Sequence, residues 1–279
     1  MSKQHYLLSK VRKASIPRLS PSVIKDLEIP VPPLPVQEEI VRILDKFTEL
    51  QAELQAELQK RKLQYNYYLD NLLSFNRGGW QAEVRWMKMS EVCLKISSGG
   101  TPSRKNGAYF KGNIPWLRTQ EVDWNNIFDT AISITEDAIK NSSAKLIPEN
   151  CVIIAMYGAT AGKACINQIP LTTNQACCNL QINAKIALYK YVYYWVCKNY
   201  EKIKSLGQGS QNNINAQIVK DYPIPVPSLA DQQKIVSILD RFDRLTNDLS
   251  SGLPAEMEKR RQQYEYYRDK LLTFKRKGA

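Results

Sequence analysis

Apolar residues fall three and four positions apart through Ile40, Ile43, Leu44, Phe47, Leu50, Leu54, Leu58, Tyr65, Tyr68 and Leu72, with Glu49, Glu53, Glu57, Lys60 and Lys62 between them. That spacing lays one stripe along a helix and predicts a helix from Val36 to Phe75, on the order of 60 Å long. A helix of that length needs a partner along its stripe. The lead in front of it, Ile29 to Pro35, is extended, because proline lacks an N–H donor and pushes its predecessor out of the helical region. The same layout returns after Ile224 to Pro227, with apolar positions at Ile235, Ile238, Leu239, Phe242, Leu245, Leu249, Met257, Tyr264, Tyr267 and Leu271.

The two layouts are copies of one sequence. VIKDLEIPVPPLPVQEEIVRILDKF (Val23 to Phe47) becomes IVKDYPIPVPSLADQQKIVSILDRF (Ile218 to Phe242) at a constant offset, an internal repeat. Further along, Arg61, Tyr65, Tyr68 and Phe75 recur as Arg260, Tyr264, Tyr267 and Phe274, the offset having grown by four residues. Those extra residues surround Gly252 and Pro254, where the second helix is expected to break or kink. Each helix is the obvious partner of the other, although two amphipathic helices alone would equally make a bundle.

Between the copies the texture changes. From Trp80 to Tyr222, short apolar runs such as Cys151 to Met156 and Asn179 to Ile182 are cut by Gly, Pro and Asn, as in short strands and turns. Tyr189 to Val196 reads as a buried helix or a strand. The region is one compact domain, so the predicted class is α+β: a globular domain carried on two long helices that form an antiparallel coiled-coil spacer. The divisions are 1–28, 29–79, 80–222 and 223–279. Ser9 to Asp26 matches Lys204 to Asp221, so residues 1–28 read as the remnant of a first domain that is lost or encoded elsewhere.

Charge narrows the partners. The chain of 279 residues carries a formal net charge of +12. The first helical segment is close to neutral, whereas 80–222 holds 16 basic against 10 acidic side chains. A basic surface attracts polyanions, above all a nucleic-acid backbone. No apolar run approaches a membrane span and the basic N-terminus lacks a signal peptide's apolar core, which makes the cytoplasm the expected compartment. The six cysteines include no CxxC pair and the one histidine, His5, is distant from them in sequence, so reduced, buried thiols are expected rather than a metal site.

The candidate chemistry lies in loops. Arg104, Lys105, Lys111, Arg118 and Lys163 stand in turn-rich segments from which long cations reach phosphates. Gln120, Asn174, Gln175, Gln211, Asn212 and Asn213 bear amides able to read adenine edges, though Asn in such loops also serves turn geometry. GATAGK (Gly158 to Lys163) is one residue short of a phosphate-binding P-loop and has Ala164 where Ser or Thr would hold magnesium. The Pro32 to Pro35 run could mimic an SH3 ligand, but its return before the second helix marks it as a structural lead-in. An adenine methyltransferase of this kind would show Asn/Asp-Pro-Pro-aromatic, whereas the only Pro-Pro pair, Pro32-Pro33, lies between Val31 and Leu34.

Five motifs follow in order: SSGGTPSRKN (Ser97 to Asn106), YFKGNIPWLRTQEV (Tyr109 to Val122), IPENCVIIAMYGATAGKACI (Ile147 to Ile166), TTNQACCNLQI (Thr172 to Ile182) and GQGSQNNIN (Gly207 to Asn215). Together they resemble the target recognition domain of the specificity (S) subunit of type I restriction-modification enzymes, and the repeated helices resemble that family's conserved spacers. The resemblance implies a noncatalytic reader of double-stranded DNA. Such subunits carry two recognition domains, each reading half of a bipartite site, on two long antiparallel helices. Those helices dock methyltransferase (M) subunits, which methylate adenine from S-adenosylmethionine, and a motor-nuclease (R) subunit, which uses ATP and magnesium, cuts unmodified DNA. No cofactor is expected on this chain. The stripe residues Leu44, Phe47, Leu50, Leu54, Leu58, Tyr65, Tyr68, Phe242, Leu245, Leu249, Tyr264 and Tyr267 become the candidate subunit interface. The chain departs from the pattern in lacking the first recognition domain, so it is expected to read one half-site. Self-association or a separately encoded partner would complete it. The competing reading is a remnant or decoy that binds M subunits without reading DNA; a stand-alone enzyme lacks its parts.

Overall fold

The structure, a computed structural model, describes residues 11, 20–25, 27–75, 84–207, 213–248 and 250–275. The helices are α1 (Pro21–Lys25), α2 (Leu34–Leu72), α3 (Glu136–Lys140), α4 (Tyr189–Lys198), α5 (Tyr200–Ser205), α6 (Ala216–Asp221), α7 (Leu229–Asn247) and α8 (Leu253–Leu271). The strands are β1 (Arg85–Lys88), β2 (Cys93–Ser98), β3 (Ile114–Leu117), β4 (Asn126–Ile127), β5 (Ser133–Ile134), β6 (Val152–Ala155), β7 (Ala164–Asn167), β8 (Thr172–Thr173), β9 (Cys177–Ile182) and β10 (Pro223–Val226). The α+β class is the one expected.

Compactness divides the chain differently from the repeat. One unit joins Met1–Glu57 to Ala255–Ala279 and the other is Leu58–Pro254. The boundary between the two units falls inside α2, because the last turns of that helix pack into the globular core. Leu69 and Leu73 are buried there, with Tyr65 and Phe75 against them.

In the first unit, α2 begins with Pro35 in its opening turn, where a missing N–H is harmless, and the Val36 and Gln37 amides donate to Pro33 O at 2.9 and 3.1 Å. Phe47 lies against α8, stacked on Tyr267 at 5.4 Å and edge-on to Tyr264 at 6.4 Å. The second unit holds the reciprocal pair, Tyr68 stacked on Phe242 at 5.1 Å. There α2 ends under Lys198, whose Nζ donates to Asp70 O and Ser74 Oγ at 2.7 Å each, a cation at the negative end of the helix dipole.

The expected break is present between α7 and α8. Asp248 accepts the Ser250 amide at 2.7 Å and the Ser251 amide at 3.3 Å, together with both hydroxyls, which holds its carboxyl well below the usual range. Pro254 then sits in the first turn of α8.

The globular core is built on a five-stranded sheet ordered β2-β9-β6-β7-β4, antiparallel except for β4 with β7. Alternation explains why β6 is wholly apolar. Val152 and Ile154 belong to the cluster beneath α4, while Ile153 and Ala155 belong to a second cluster with Leu117, Cys165 and Cys177. The Tyr189 to Val196 run proves helical, as α4, and buries Tyr191, Val192, Tyr194 and Val196. Its polar handles reach the proline-rich strand β10: Tyr191 Oη donates to Pro225 O at 2.7 Å and Trp195 Nε1 to Pro223 O at 2.9 Å. A smaller sheet, β5-β3-β8, pairs β3 with β8 in parallel, and β1 pairs with β10.

Candidate nucleic-acid interface

Parallel pairing of β3 with β8 sets the site. Trp116 lies opposite Thr172 and Leu117 opposite Thr173, so the turns that follow, Thr119–Glu121 and Asn174–Gln175, leave the same end of the pair. The Asn174 amide donates to Leu117 O at 2.9 Å and fastens them. A third segment joins when the Gly100 amide donates to Thr173 O at 2.9 Å and Thr101 Oγ1 hydrogen-bonds Gln175 Oε1. Gly99 permits that approach, since a Cβ there would lie 2.1 Å from Thr173 O.

The Gly158 to Lys163 motif arrives as the hairpin turn between β6 and β7, with Gly162 at φ +85. A strand-to-strand hairpin is not the strand-to-helix frame of a P-loop. Thr160 Oγ1 donates to Thr119 O at 2.7 Å, which brings this turn to the others. Finally the Ile214 amide donates to Met156 O at 2.9 Å, which places Asn213 beside the same hairpin. Four of the five motifs thus converge directly, and the fifth enters through Asn213.

Within this assembly the predicted side chains differ in freedom. Arg104 and Lys105 are exposed and meet no carboxylate among the described residues. Arg118 is half-buried, 3.4 Å from Glu121, and Gln120, with its amide oxygen turned toward Arg118, accepts from both terminal nitrogens at 3.2 Å. Lys163 is paired with Asp123 at 2.5 Å. Asn174 uses its Oδ1 inward, accepting Cys177 Sγ–H at 3.2 Å, so it serves the turn. Asn213 Oδ1 is screened from solvent and finds no hydrogen-bond partner among the described residues. Lys111 precedes the opposite end of β3, away from Arg118. Gln211 and Asn212 lie outside the described residues, as does Leu249 of the helical stripe.

Glu121 organises much of this and sequence reasoning passed it over. Its Oε1 accepts the Arg118 amide at 3.2 Å, and its Oε2 accepts the Ala131 amide at 2.9 Å. The i,i+3 spacing from Arg118 was visible; the bond to Ala131 was not. Of the stripe residues, Leu58 is buried within the chain and Leu44, Phe47, Leu50, Leu54, Tyr65, Phe242, Leu245 and Tyr264 are half-buried, leaving Tyr68 and Tyr267 exposed. Among the described residues no group of three or more His, Cys, Asp or Glu could hold a metal ion.

Comparison with known proteins decides the family. The model of the type I restriction modification DNA specificity domain matches residues 1–61 and 82–259. The chain belongs to that family. Among its relatives, the EcoR124I/EcoR124II specificity subunit of Escherichia coli is 41% identical over 263 residues, covering 90% of this chain and 63% of the relative. A putative type I restriction enzyme specificity subunit of Haemophilus influenzae is 30% identical, covering 92% and 66%. The chain thus spans about two thirds of the length of these relatives. In fold it is similar to the type I S subunit of M. genitalium, with a TM-score of 0.64 and 16% identity over 98% of this chain and 71% of that one. A chain from a type I R-M system assembly gives a TM-score of 0.69 at 16% identity, covering 97% and 67%. No helix among the described residues is long and apolar enough to cross a membrane.

Proposed function

We propose that this chain is the noncatalytic DNA-reading subunit of a cytoplasmic type I restriction-modification complex, its domain around 84–222 reading one half of a two-part target. The observation that carries this reading is the convergence of separate motif loops on the end of the β3–β8 pair, with exposed Arg104 and Lys105 beside amides held by neighbours. Cations position a phosphate backbone and preset amides discriminate bases. An M subunit supplies S-adenosylmethionine chemistry on adenine, and an R subunit supplies ATP- and magnesium-dependent cutting. The helical units are where M subunits dock, through aromatic side chains left exposed such as Tyr67 and Tyr266.

The test is DNA from cells carrying this chain with its M subunit, sequenced for methylated adenine. A defined methylated motif, lost when Gln175 and Asn213 are replaced by Ala, supports the reading. Methylation that is absent or indifferent to sequence, with M still bound, favours the decoy.

A further inference from the structure

A buried amide joins the two larger sheets of the globular domain. Asn179 lies on β9 of the five-stranded sheet, opposite Ser97 on β2 and Ile153 on β6. Alternation along β9 turns it to the face of Cys177, whose cluster with Ile153, Leu117 and Cys165 is apolar. There it is 2% exposed. Its Nδ2 donates at 2.8 Å to Thr173 Oγ1, on β8 of the three-stranded sheet, and Thr173 is itself buried. Its Oδ1 finds no hydrogen-bond partner among the described residues. Stability alone does not account for such a residue. An amide in apolar surroundings with part of its hydrogen-bonding capacity unmet is costly, and an aliphatic side chain of similar size would carry no such penalty.

What the amide does is hold Thr173 in place. The Thr173 carbonyl accepts the Gly100 amide at 2.9 Å, and Gly99 passes so close to the same residue that a Cβ would lie 2.2 Å from its hydroxyl oxygen. The Gly100 carbonyl in turn receives Trp116 Nε1, from β3, at 3.0 Å. The segment leaving β2 is thereby held against the smaller sheet, with Thr101 one residue beyond the contact on one side and Gln175 two residues beyond it on the other. Thr101 Oγ1 donates to Gln175 Oε1, and the exposed Gln175 keeps its Nε2 hydrogens unclaimed among the described residues. An amide of this kind discriminates bases only while its direction is fixed by the groups behind it.

We propose that Asn179 is a positioning residue for base discrimination. It is too deeply buried to touch DNA, and it sets the direction of Gln175 by pinning Thr173 beneath the turn at Gly99. The proposal rests on the DNA-reading function for its consequence, while the pinning itself can be measured without DNA.

Three variants in complex with the M subunit separate positioning from stability: Asn179→Leu, Thr173→Val, and the two together. Each single change strands one polar group in the apolar cluster and should lower the thermal unfolding midpoint. The pair removes both groups and should bring the midpoint back toward wild type. Discrimination should not return with it. The ratio of affinities for cognate and noncognate duplex should fall roughly tenfold in all three variants, because an apolar pair fixes no direction. The salt dependence set by phosphate contacts should stay unchanged. Hydrogen exchange in peptides covering 97–102 and 172–177, read without DNA, should quicken at Gly100 in all three. Full discrimination in the double variant, or unchanged exchange in the single ones, would overturn the proposal. Failure of the DNA-reading function reads differently: the wild-type complex would show no cognate preference, with exchange at Gly100 still dependent on Asn179.

Discussion

Glu121 shows how a single carboxylate converts a polar loop into a fixed surface. It binds the Arg118 backbone and side chain from one oxygen and the Ala131 amide from the other, so it joins two segments ten residues apart. Glu121→Ala leaves those donors to solvent and should cost about 1–2 kcal/mol in urea unfolding, since such bonds are worth about that when lost at half-buried positions. The identity of Arg118, Gln120 and Lys163 as surface cations and amides could be read from turn-rich motifs. Their restraint could not, because Asp123 reaches Lys163 across 40 positions that only folding brings together. The cysteines illustrate the converse. Their burial was legible from the absence of a CxxC pair: Cys151, Cys165, Cys177 and Cys178 are buried, and burial pushes the thiols of Cys93, Cys151 and Cys178 up to about 12. At pH 8 only about one such thiol in ten thousand is thiolate, the reactive form. A disulfide-exchange reagent at that pH should therefore label these three slowly in the folded chain and promptly in urea, and prompt labelling when folded would contradict the packing described.

At the scale of elements, the apolar stripe announced α2 to within a few residues because its periodicity runs unbroken, and the second helix announced its own interruption through Gly252 and Pro254. The mechanism of that interruption was hidden. Asp248 gathers the Ser250 and Ser251 amides and hydroxyls, and Gly252 passes so close to the end of α7 that a Cβ would lie 2.4 Å from Arg244 O and 2.8 Å from Asp248 O. Both contacts are backbone, which cannot swing aside. Gly252→Ala should destabilise by about 1–3 kcal/mol, measured by thermal or urea unfolding followed by circular dichroism. The pH response of the break follows from the depressed Asp248 carboxyl. A folded pKa below the unfolded value, about 3.9, gives stability that is complete above about pH 5 and fades as pH falls through the folded value. Exchange of the Ser250 amide should accordingly be constant relative to an unfolded reference at neutral pH and lose protection only in acid. Asp248→Asn should flatten that acid response. Leu58 tests the stripe itself: it is buried, and Leu58→Asp places a charge there at a cost of several kcal/mol, enough to lower helical content and the unfolding midpoint.

For the molecule as a whole, the repeat was plain in sequence while the compact units were not, since a division inside α2 depends on which turns of one helix meet the core. The motif order likewise pointed to DNA, yet only the parallel β3–β8 register explains how loops spread from Ser97 to Asn215 form one surface. That surface predicts a division of labour among its side chains. Arg104 and Lys105 extend from the loop anchored by Gly99 and are free of carboxylates among the described residues, so they suit phosphate contacts. Each phosphate neutralised contributes about 0.9 to the slope of log affinity against log salt concentration. The pair Arg104→Ala and Lys105→Ala in the assembled complex should therefore lower that slope by roughly 2, weakening cognate and noncognate duplexes alike. Gln175 is held by Thr101 and bears no charge, so Gln175→Ala should leave the slope unchanged while narrowing the gap between cognate and noncognate DNA. Fluorescence anisotropy across a salt series on both duplexes separates the two effects. A slope insensitive to Arg104 and Lys105, with selectivity insensitive to Gln175, would move the DNA-contacting face away from the end of the β3–β8 pair.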